Sequence, residues 1–259
     1  MKIRLFQIDA FTSRLFGGNP AAVCPLEAWL EDGTLQAIAA ENNLAETAFF
    51  VGGGGRYELR WFTPTVEVDL CGHATLASAL VVFRHLEPSL EAVAFRSKSG
   101  ELRVTRSGDV LTLDFPSLPP SRCEVPEPLA RALGRTPLEL WSARDYMAVY
   151  GSEQEVRALA PDIDGLAAVD RFGVIVTAPG DARDFVSRFF APRQGVPEDP
   201  VTGSAHCTLV PYWAHRLGKS RLHALQVSRR GGELFCEDRG DRVAIGGRAV
   251  QFLEGTIEV

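Results

Sequence analysis

Residues 73–83 read HATLASALVVF, a stretch that places apolar side chains on every side of a helix. A helix of this kind has no polar face to present to water, so the rest of the fold has to surround it. The neighbouring segments, among them residues 56–63 and 92–96, have the short, β-rich pattern of strands. We therefore predict a curved antiparallel sheet that wraps around a central helix.

Part of this plan occurs twice in the chain. Gly-Glu-Leu stands at residues 100–102 and again at residues 232–234, and each copy follows a glycine-led helix start, Gly72 or Gly203, at nearly the same distance. The second central helix is predicted to run from Ser204 toward residue 217. Pro211 predicts a kink or break in this helix because proline lacks the backbone N–H.

The duplication predicts an α+β fold of two similar domains, each an antiparallel β-barrel-like sheet around a central α-helix. We place the domains at residues 1–117 and 118–259 and allow the C-terminal strand to return to the first domain. Six prolines mark residues 116–137 as the linker, with a short helix predicted at residues 127–133. Two like halves imply a cleft between them, where a small molecule can bind.

Composition excludes several classes of protein. The chain has 259 residues, 46% of them hydrophobic and 23% charged, as in globular proteins. Its net charge of −6, without a basic stretch, argues against nucleic-acid binding. No apolar run is long enough to span a membrane, the polar residues near the start argue against a signal peptide, and five cysteines suit reduced thiols. We expect a cytoplasmic protein without membrane partners.

The two helix starts are candidate anion sites. Gly72-His73 and Gly203-Ser204 each follow a proline-bearing loop, and the first turn of a helix exposes unpaired N–H groups at the positive end of its dipole. A single glycine there would be explained by the turn that it permits. Two at equivalent places favour an anionic ligand held between two helix ends.

Two carboxylates depart from the duplication. Glu46 precedes an apolar strand in the first half, and nothing clearly equivalent precedes Val174. Asp199 lies in the loop before Gly203, which is longer than the loop before Gly72. Either residue alone would be read as a solvated charge or a turn residue. Their complementary placement predicts that they face each other across the cleft as an acid–base pair.

Cys71 and His73 add further candidate groups. A helix start lowers the pKa of a thiol, so Cys71 is a candidate thiolate, although its counterpart is Thr202. His73 is predicted to bind the ligand by a hydrogen bond, to relay protons near neutral pH, or to cap the helix. The cysteines and histidines do not have zinc-site spacing, and no dinucleotide fingerprint follows the first strand, so we predict neither metal nor cofactor.

Five segments carry a resemblance to a known family: QIDAF (7–11), GGNPA (17–21), NLAET (43–47), DLCGHAT (69–75) and EDPVTGSA (198–205). In this order and over nearly the whole chain, they resemble the PhzF family of phenazine-biosynthesis isomerases, within the diaminopimelate epimerase-like superfamily. The fold that the resemblance implies has two similar domains, each a β-barrel-like sheet around a central helix.

The resemblance also implies an activity and a site. It implies a cofactor-independent, homodimeric isomerase that transfers a proton on a small carboxylate substrate. Glu46 would be the general acid/base and Asp199 a ligand or proton-transfer partner, with His73 as a third catalytic group. The residues implied to line the substrate pocket, besides His73, are Asn19, Gly72, Gly203 and Ser204.

Two other functions remain open from the sequence. One is a cysteine-dependent epimerase that uses Cys71, although racemases of the superfamily use a cysteine pair and this chain keeps a cysteine on the first side only. The other is a non-catalytic protein that binds a small carboxylate on the same scaffold.

Overall fold

A computed structural model describes all 259 residues of the chain. Its backbone contacts divide into two compact units. The first unit comprises Met1–Asp114 together with Gly246–Val259, and the second comprises Phe115–Ile245. The first unit ends at Asp114, three residues before the domain boundary that the sequence predicts. The C-terminal segment, Gly246–Val259, returns to the first unit.

The elements of the first half alternate strands with two helices. In chain order they are β1 (Lys2–Ala10), β2 (Asn19–Leu26), α1 (Asp32–Asn42), β3 (Glu46–Gly53), β4 (Arg56–Phe62), β5 (Glu67–Val68), α2 (Gly72–Val81), β6 (Ala92–Ser97), β7 (Gly100–Ser107) and β8 (Val110–Pro116).

Helix α2 lies in the core of the first unit, as its sequence predicts. Every residue of the helix except Leu80 is buried, and it packs against β1, β2 and β3. A π-helical turn, Val82–Leu86, continues it. The strands before and after α2, β4 and β6, pair in parallel, whereas β3–β4 and β6–β7 pair antiparallel. The parallel pair arises because a helix crosses over between the two strands.

The remaining elements are β9 (Ser121–Cys123), α3 (Glu127–Leu133), β10 (Glu139–Ser142), β11 (Tyr146–Val149), α4 (Glu153–Ala158), α5 (Ile163–Ala167), β12 (Val174–Pro179), β13 (Phe185–Ala191), β14 (Val196–Asp199), α6 (Gly203–Leu217), β15 (Arg221–Gln226), β16 (Gly232–Asp238), β17 (Arg242–Gly247) and β18 (Ala249–Glu258). A single 3-10 turn, Pro192–Gln194, precedes β14. The last strand, β18, pairs antiparallel with β1.

The second unit repeats the strand pairing of the first. Strands β12 and β13 pair antiparallel, β13 and β15 pair in parallel across α6, and β15 and β16 pair antiparallel. The repeated Gly-Glu-Leu segments begin the corresponding strands, β7 and β16. The sequence repeat therefore marks the same structural position in both units.

Helix α6 is continuous through Pro211, where the sequence predicts a kink or break. A proline removes the N–H that would bond the carbonyl four residues earlier, which here belongs to Cys207. The backbone N–H of Leu118 donates to that carbonyl at 2.9 Å instead. Because the orphaned acceptor finds a partner outside the helix, the proline does not interrupt α6.

Other elements agree with their predictions to within a residue or two. Strands β4 and β6 lie where residues 56–63 and 92–96 are predicted as strands, and α3 coincides with the short helix predicted within the proline-rich segment. That segment forms part of the second unit rather than a free linker. Helices α4 and α5, of six and five residues, were not predicted. None of the helices has the length and apolar character needed to span a membrane.

Candidate active site

Glu46 is the first residue of β3. Helix α1 ends at Asn42 and is followed by Asn43, which adopts a left-handed conformation at φ 48°, and the chain turns from there into the strand. Strand β3 runs parallel to β2 with Glu46 beside Ala21, and the side chain of Glu46 is 16% exposed. In the second unit the corresponding first residue of β12, paired in the same way with β11, is the buried Val174. The half-buried carboxylate therefore belongs to the first unit alone.

The start of α2 carries Cys71, Gly72 and His73. Cys71 precedes the helix with an extended backbone and gives no side-chain cap to the first turn. The hydroxyl of Thr75 donates to the Cys71 carbonyl at 2.6 Å. All three residues at the helix start are buried, so the chain holds His73 firmly in the core of the unit.

The imidazole of His73 stands between Glu46 on one edge and Asn19 with Cys71 on the other. Its Nε2 lies 3.1 Å from Oε2 of Glu46, but off the line of an aligned hydrogen bond, so we treat the pair as a charge contact. Its Nδ1 lies 3.2 Å from Nδ2 of Asn19 and 3.5 Å from Sγ of Cys71. The first unit thus brings four of the candidate residues into one cluster.

The protonation of the cluster follows from burial and charge. Burial lowers the pKa of His73, but negative charge on Cys71 and Glu46 favours the imidazolium more strongly, and the pKa rises above 6.5. Burial raises the pKa of the Cys71 thiol to about 11. Since Cys71 therefore keeps its proton near neutral pH, Glu46 is the partner that raises the pKa of His73 there. The expected thiolate is wrong because burial outweighs the helix start.

The donor atoms of Glu46, Cys71 and His73 lie within 4.8 Å of one another, close enough to consider a metal ion. A single ion, however, binds one nitrogen of an imidazole ring. Here Glu46 contacts Nε2 whereas Cys71 contacts Nδ1, on the opposite edge of the ring. The two residues therefore lie on opposite edges of the ring, which is not the arrangement of ligands around one ion.

Asp199 ends β14 in the second unit, with the extended backbone expected before a proline. The Thr202 hydroxyl donates to Oδ2 of Asp199. The fully buried Gln226 donates to the Asp199 carbonyl at 2.8 Å, and its Oε1 accepts the Thr202 N–H at 2.9 Å. Gln226 thereby fixes the loop that leads from Asp199 into α6.

Gly203 and Ser204 begin α6. Thr202, whose hydroxyl is directed to Asp199, gives the first turn no side-chain cap. The Arg144 guanidinium donates to the Ser204 hydroxyl at 3.1 Å and to the carboxylate of Asp145. Burial raises the pKa of the Asp145 carboxyl although Arg144 opposes that shift. The start of α6 therefore combines backbone N–H groups, a hydroxyl and a guanidinium.

Comparison with known proteins identifies the family. The model of the family described as phenazine biosynthesis-like protein, PhzC-PhzF, matches residues 8–255. The chain belongs to the PhzF family. It is 53% identical over 259 residues to an uncharacterized isomerase of Pseudomonas aeruginosa, with 100% of both proteins covered. It is also similar to the crystal structure of a PhzF-family phenazine biosynthesis protein from Enterococcus faecalis, with a TM-score of 0.98, 48% identity and 100% of both chains covered.

These similarities confirm the predicted PhzF family and the prediction that the chain is an isomerase. A hydroxyproline epimerase from Agrobacterium vitis has a TM-score of 0.63 at 10% identity, covering 99% of this chain and 92% of its own. At that identity the likeness concerns the fold alone, and it confirms the epimerase-like architecture.

Within this PhzF-family chain, the structure groups the candidate residues by unit. Asn19, Glu46, Gly72 and His73 belong to the first unit, whereas Asp199, Gly203 and Ser204 belong to the second. The pairing of Glu46 with Asp199 stays a prediction. Sequence reasoning missed Gln226 and Arg144, whose contacts depend on the register of strands distant in sequence. Arg144 and Asn19 occupy equivalent positions in the two units. Asn19 lies two residues before Ala21, which pairs with the first residue of β3, and Arg144 lies two residues before Tyr146, which pairs with the first residue of β12.

Proposed function

We propose that this PhzF-family chain catalyses an isomerisation in which Glu46 takes a proton from carbon in a small carboxylate substrate and returns it at another carbon. The observation that carries the proposal is the contact between Glu46 and His73. A partly exposed carboxylate stands 3.1 Å from a buried imidazole at the start of a buried helix. A general base has to reach the substrate while its surroundings stay dry, and the partial exposure of Glu46 beside a buried imidazole supports this role.

The proposed reaction needs no external oxidant or reductant. One C–H bond breaks, its electron pair moves into the conjugated system of the substrate, and a new C–H bond forms with the proton that Glu46 holds. Between the two steps the substrate carries an extra negative charge. Donors that are already oriented toward this charge stabilise it without having to reorganise.

His73 is the proposed donor nearest to Glu46. Its Nε2 is buried and has no aligned acceptor within the chain, a condition that native proteins seldom leave unexplained. Charge that develops on a substrate bound beside the partly exposed Glu46 carboxylate would lie close to this N–H. The upward shift of the His73 pKa favours keeping a proton on the ring while charge develops on the substrate.

In the second unit we propose that Asp199 is a ligand or proton-transfer group and that Gly203 and Ser204 bind the substrate carboxylate. The support is the uncapped first turn of α6 and the hydroxyl of Ser204, to which Arg144 donates. In the first unit, we propose the same carboxylate-binding role for Gly72 because it begins α2 in the same way.

The experiment is solvent deuterium exchange. The protein is incubated in D2O with a panel of small unsaturated or β-hydroxy carboxylates, and incorporation of deuterium at carbon is followed by NMR. The Glu46→Gln variant should abolish incorporation while ligand-induced shifts in the protein spectrum persist. Glu41→Gln, which makes the same change at an exposed position of α1, should exchange like the unmodified protein. Unchanged deuterium incorporation by the Glu46→Gln variant would contradict the assignment of Glu46 as the general acid/base.

We also propose that the protein acts as a homodimer in the cytoplasm. The support is the resemblance to the PhzF family, together with an exposed aromatic pair in the first unit. The rings of Phe16 and Phe252 meet edge to face at 5.8 Å, although both side chains are largely accessible. Light scattering of the purified protein and fractionation of the cell test the two statements; a monomer at micromolar concentration contradicts the first.

A further inference from the structure

Asn19 is a buried residue at a constrained point of the backbone. It begins β2 opposite Ala10 of β1, and it is fully buried. The preceding Gly18 adopts φ +60°, and a Cβ added there would stand 2.1 Å from the Ala10 carbonyl oxygen. Only glycine fits this turn, so the backbone that leads into Asn19 is narrowly constrained.

Two hydrogen-bond donors converge on Nδ1 of His73. An amide nitrogen carries hydrogens and has no lone pair to offer, so Nδ2 of Asn19, at 3.2 Å, can only donate. The Cys71 sulfur stands 3.5 Å from the same atom and keeps its proton near neutral pH. In the neutral ring Nδ1 is therefore the acceptor, and the single proton sits on Nε2, toward Glu46.

The opposite orientation of the amide fits the cluster less well. With Oδ1 of Asn19 toward His73, the ring proton would move to Nδ1 and the lone pair of Nε2 would face the Glu46 carboxylate at 3.1 Å. The lone pair of Nε2 and the carboxylate oxygen would then be two acceptors facing each other. On the other edge of the ring, the Cys71 thiol would face the N–H of Nδ1. The three neighbours of the ring agree only when the amide nitrogen faces Nδ1.

We propose that Asn19 is a positioning residue that sets the tautomer of His73, with the Cys71 thiol as a weaker second donor. This role differs from lining the substrate pocket, which the family resemblance implies for Asn19. It rests on the proposed function in one respect: the tautomer matters because it supplies an N–H beside the Glu46 carboxylate, where the substrate would react. The tautomer itself exists without substrate.

His206 provides an internal reference in the second unit. Its Nδ1 lies 2.8 Å from the Thr202 carbonyl oxygen, which can only accept, so the proton of this ring sits on Nδ1. His206 and His73 are both buried and each lies within the first turn of its helix. The chain thus contains two buried histidines for which the contacts require opposite tautomers.

The test is ¹⁵N NMR of protein labelled at its five histidines, recorded from about pH 5 to about pH 10 without substrate. Protonated and unprotonated ring nitrogens differ widely in chemical shift, and the His73→Gln variant identifies the His73 signals. In its neutral form His73 should carry the proton on Nε2 and His206 should carry it on Nδ1. A neutral His73 protonated on Nδ1 would overturn the proposal with no variant needed.

Variants then separate Asn19 from Cys71. Asn19→Asp places a carboxylate acceptor against Nδ1, so the proton of the neutral ring should move to Nδ1. The new negative charge also favours the imidazolium, so the pKa of His73 should rise by about one unit or more. The titratable groups that already influence His73 are Glu46 and Cys71. Asn19→Ala should weaken the Nε2 preference, and Asn19→Ala with Cys71→Ala should weaken it further, leaving Glu46 as the neighbour that still favours the proton on Nε2. Asn42→Ala, which removes an amide bonded to Thr47 instead, should leave His73 unchanged.

The two proposals fail separately. If Glu46→Gln still exchanges deuterium while His73 has its proton on Nε2, the acid/base assignment fails and the tautomer stands. If exchange depends on Glu46 but a folded Asn19→Asp variant has an unshifted His73 pKa and an unchanged tautomer, the role of Asn19 fails. Circular dichroism of each variant shows whether it has folded, and the tautomer of the unmodified protein decides the matter where a variant has not.

Discussion

Thr75 and His206 make the same hydrogen bond at equivalent places in the two units. The Thr75 hydroxyl donates to the Cys71 carbonyl at 2.6 Å, and Nδ1 of His206 donates to the Thr202 carbonyl at 2.8 Å. Each carbonyl belongs to the residue just before the glycine that begins the central helix. In both units a side chain four residues along the chain therefore donates to the carbonyl that precedes the central helix, although the side chain is a threonine in one unit and a histidine in the other.

The first prediction concerns the stability of the first unit. Thr75→Val keeps the shape of the buried side chain but removes the hydroxyl that bonds the Cys71 carbonyl. We expect the free energy of unfolding to fall by about 1 kcal/mol, the usual net contribution of one hydrogen bond. Urea titration followed by circular dichroism measures it. Thr112→Val, a change on strand β8 where the hydroxyl makes no such bond to a helix start, is the control, and an equal loss there would contradict the argument.

The second prediction is a pH dependence that originates at His206. Burial lowers its pKa from 6.5 to about 4, so between these values the unfolded chain binds a proton that the folded chain does not. Stability should therefore fall as the pH falls from about 6.5 to about 4, with His206 contributing about 3 kcal/mol at most over this range.

The matched variant is His206→Thr, which introduces the side chain that the first unit uses at the equivalent position. A threonine hydroxyl can still donate to the Thr202 carbonyl but does not titrate. Urea titrations at several pH values should show a flatter profile for His206→Thr below pH 6.5, even if the variant is less stable overall. A profile as steep as that of the unmodified protein would assign the pH dependence to other groups.

The sequence is informative about the central helices because their signal is local. An apolar run without a polar face requires burial, and the repeated Gly-Glu-Leu segments relate α2 to α6 through the strands that follow them. The effect of Pro211 could not be judged in the same way. Its outcome depends on the N–H of Leu118, which is far away in sequence and pairs with the freed carbonyl.

The candidate site shows the same division. Glu46 and Asp199 stand out because the duplication makes their asymmetry visible. The contact of Gln226 with Thr202 spans 24 residues and depends on where β15 ends, which no local pattern reveals. The protonation of Cys71 depends on burial, which outweighs the effect of the helix start that the sequence suggests.

The third prediction concerns the loop that carries Asp199. Gln226→Glu keeps the acceptor for the Thr202 N–H but replaces the amide donor that bonds the Asp199 carbonyl. The new carboxylate faces acceptors in a buried position, so the free energy of unfolding should fall by about 2 kcal/mol or more. Thermal and urea unfolding measure the loss. As a control, Gln36→Glu removes one partly buried hydrogen bond, from the Gln36 amide to the Thr63 carbonyl, and the free energy of unfolding should fall by less.

The fourth prediction separates proton transfer by Glu46 from a mechanism that uses Cys71. Burial raises the pKa of Cys71 to about 11, so at pH 7 very few molecules carry the reactive thiolate. Iodoacetamide should label the less buried Cys123 before Cys71, as mass spectrometry of timed samples can show. Cys71→Ser, which keeps a donor near His73, should retain most of the deuterium exchange, whereas a cysteine-dependent epimerase would lose it. Rapid alkylation of Cys71 that abolishes exchange, with protection by a bound carboxylate, would favour the cysteine mechanism instead.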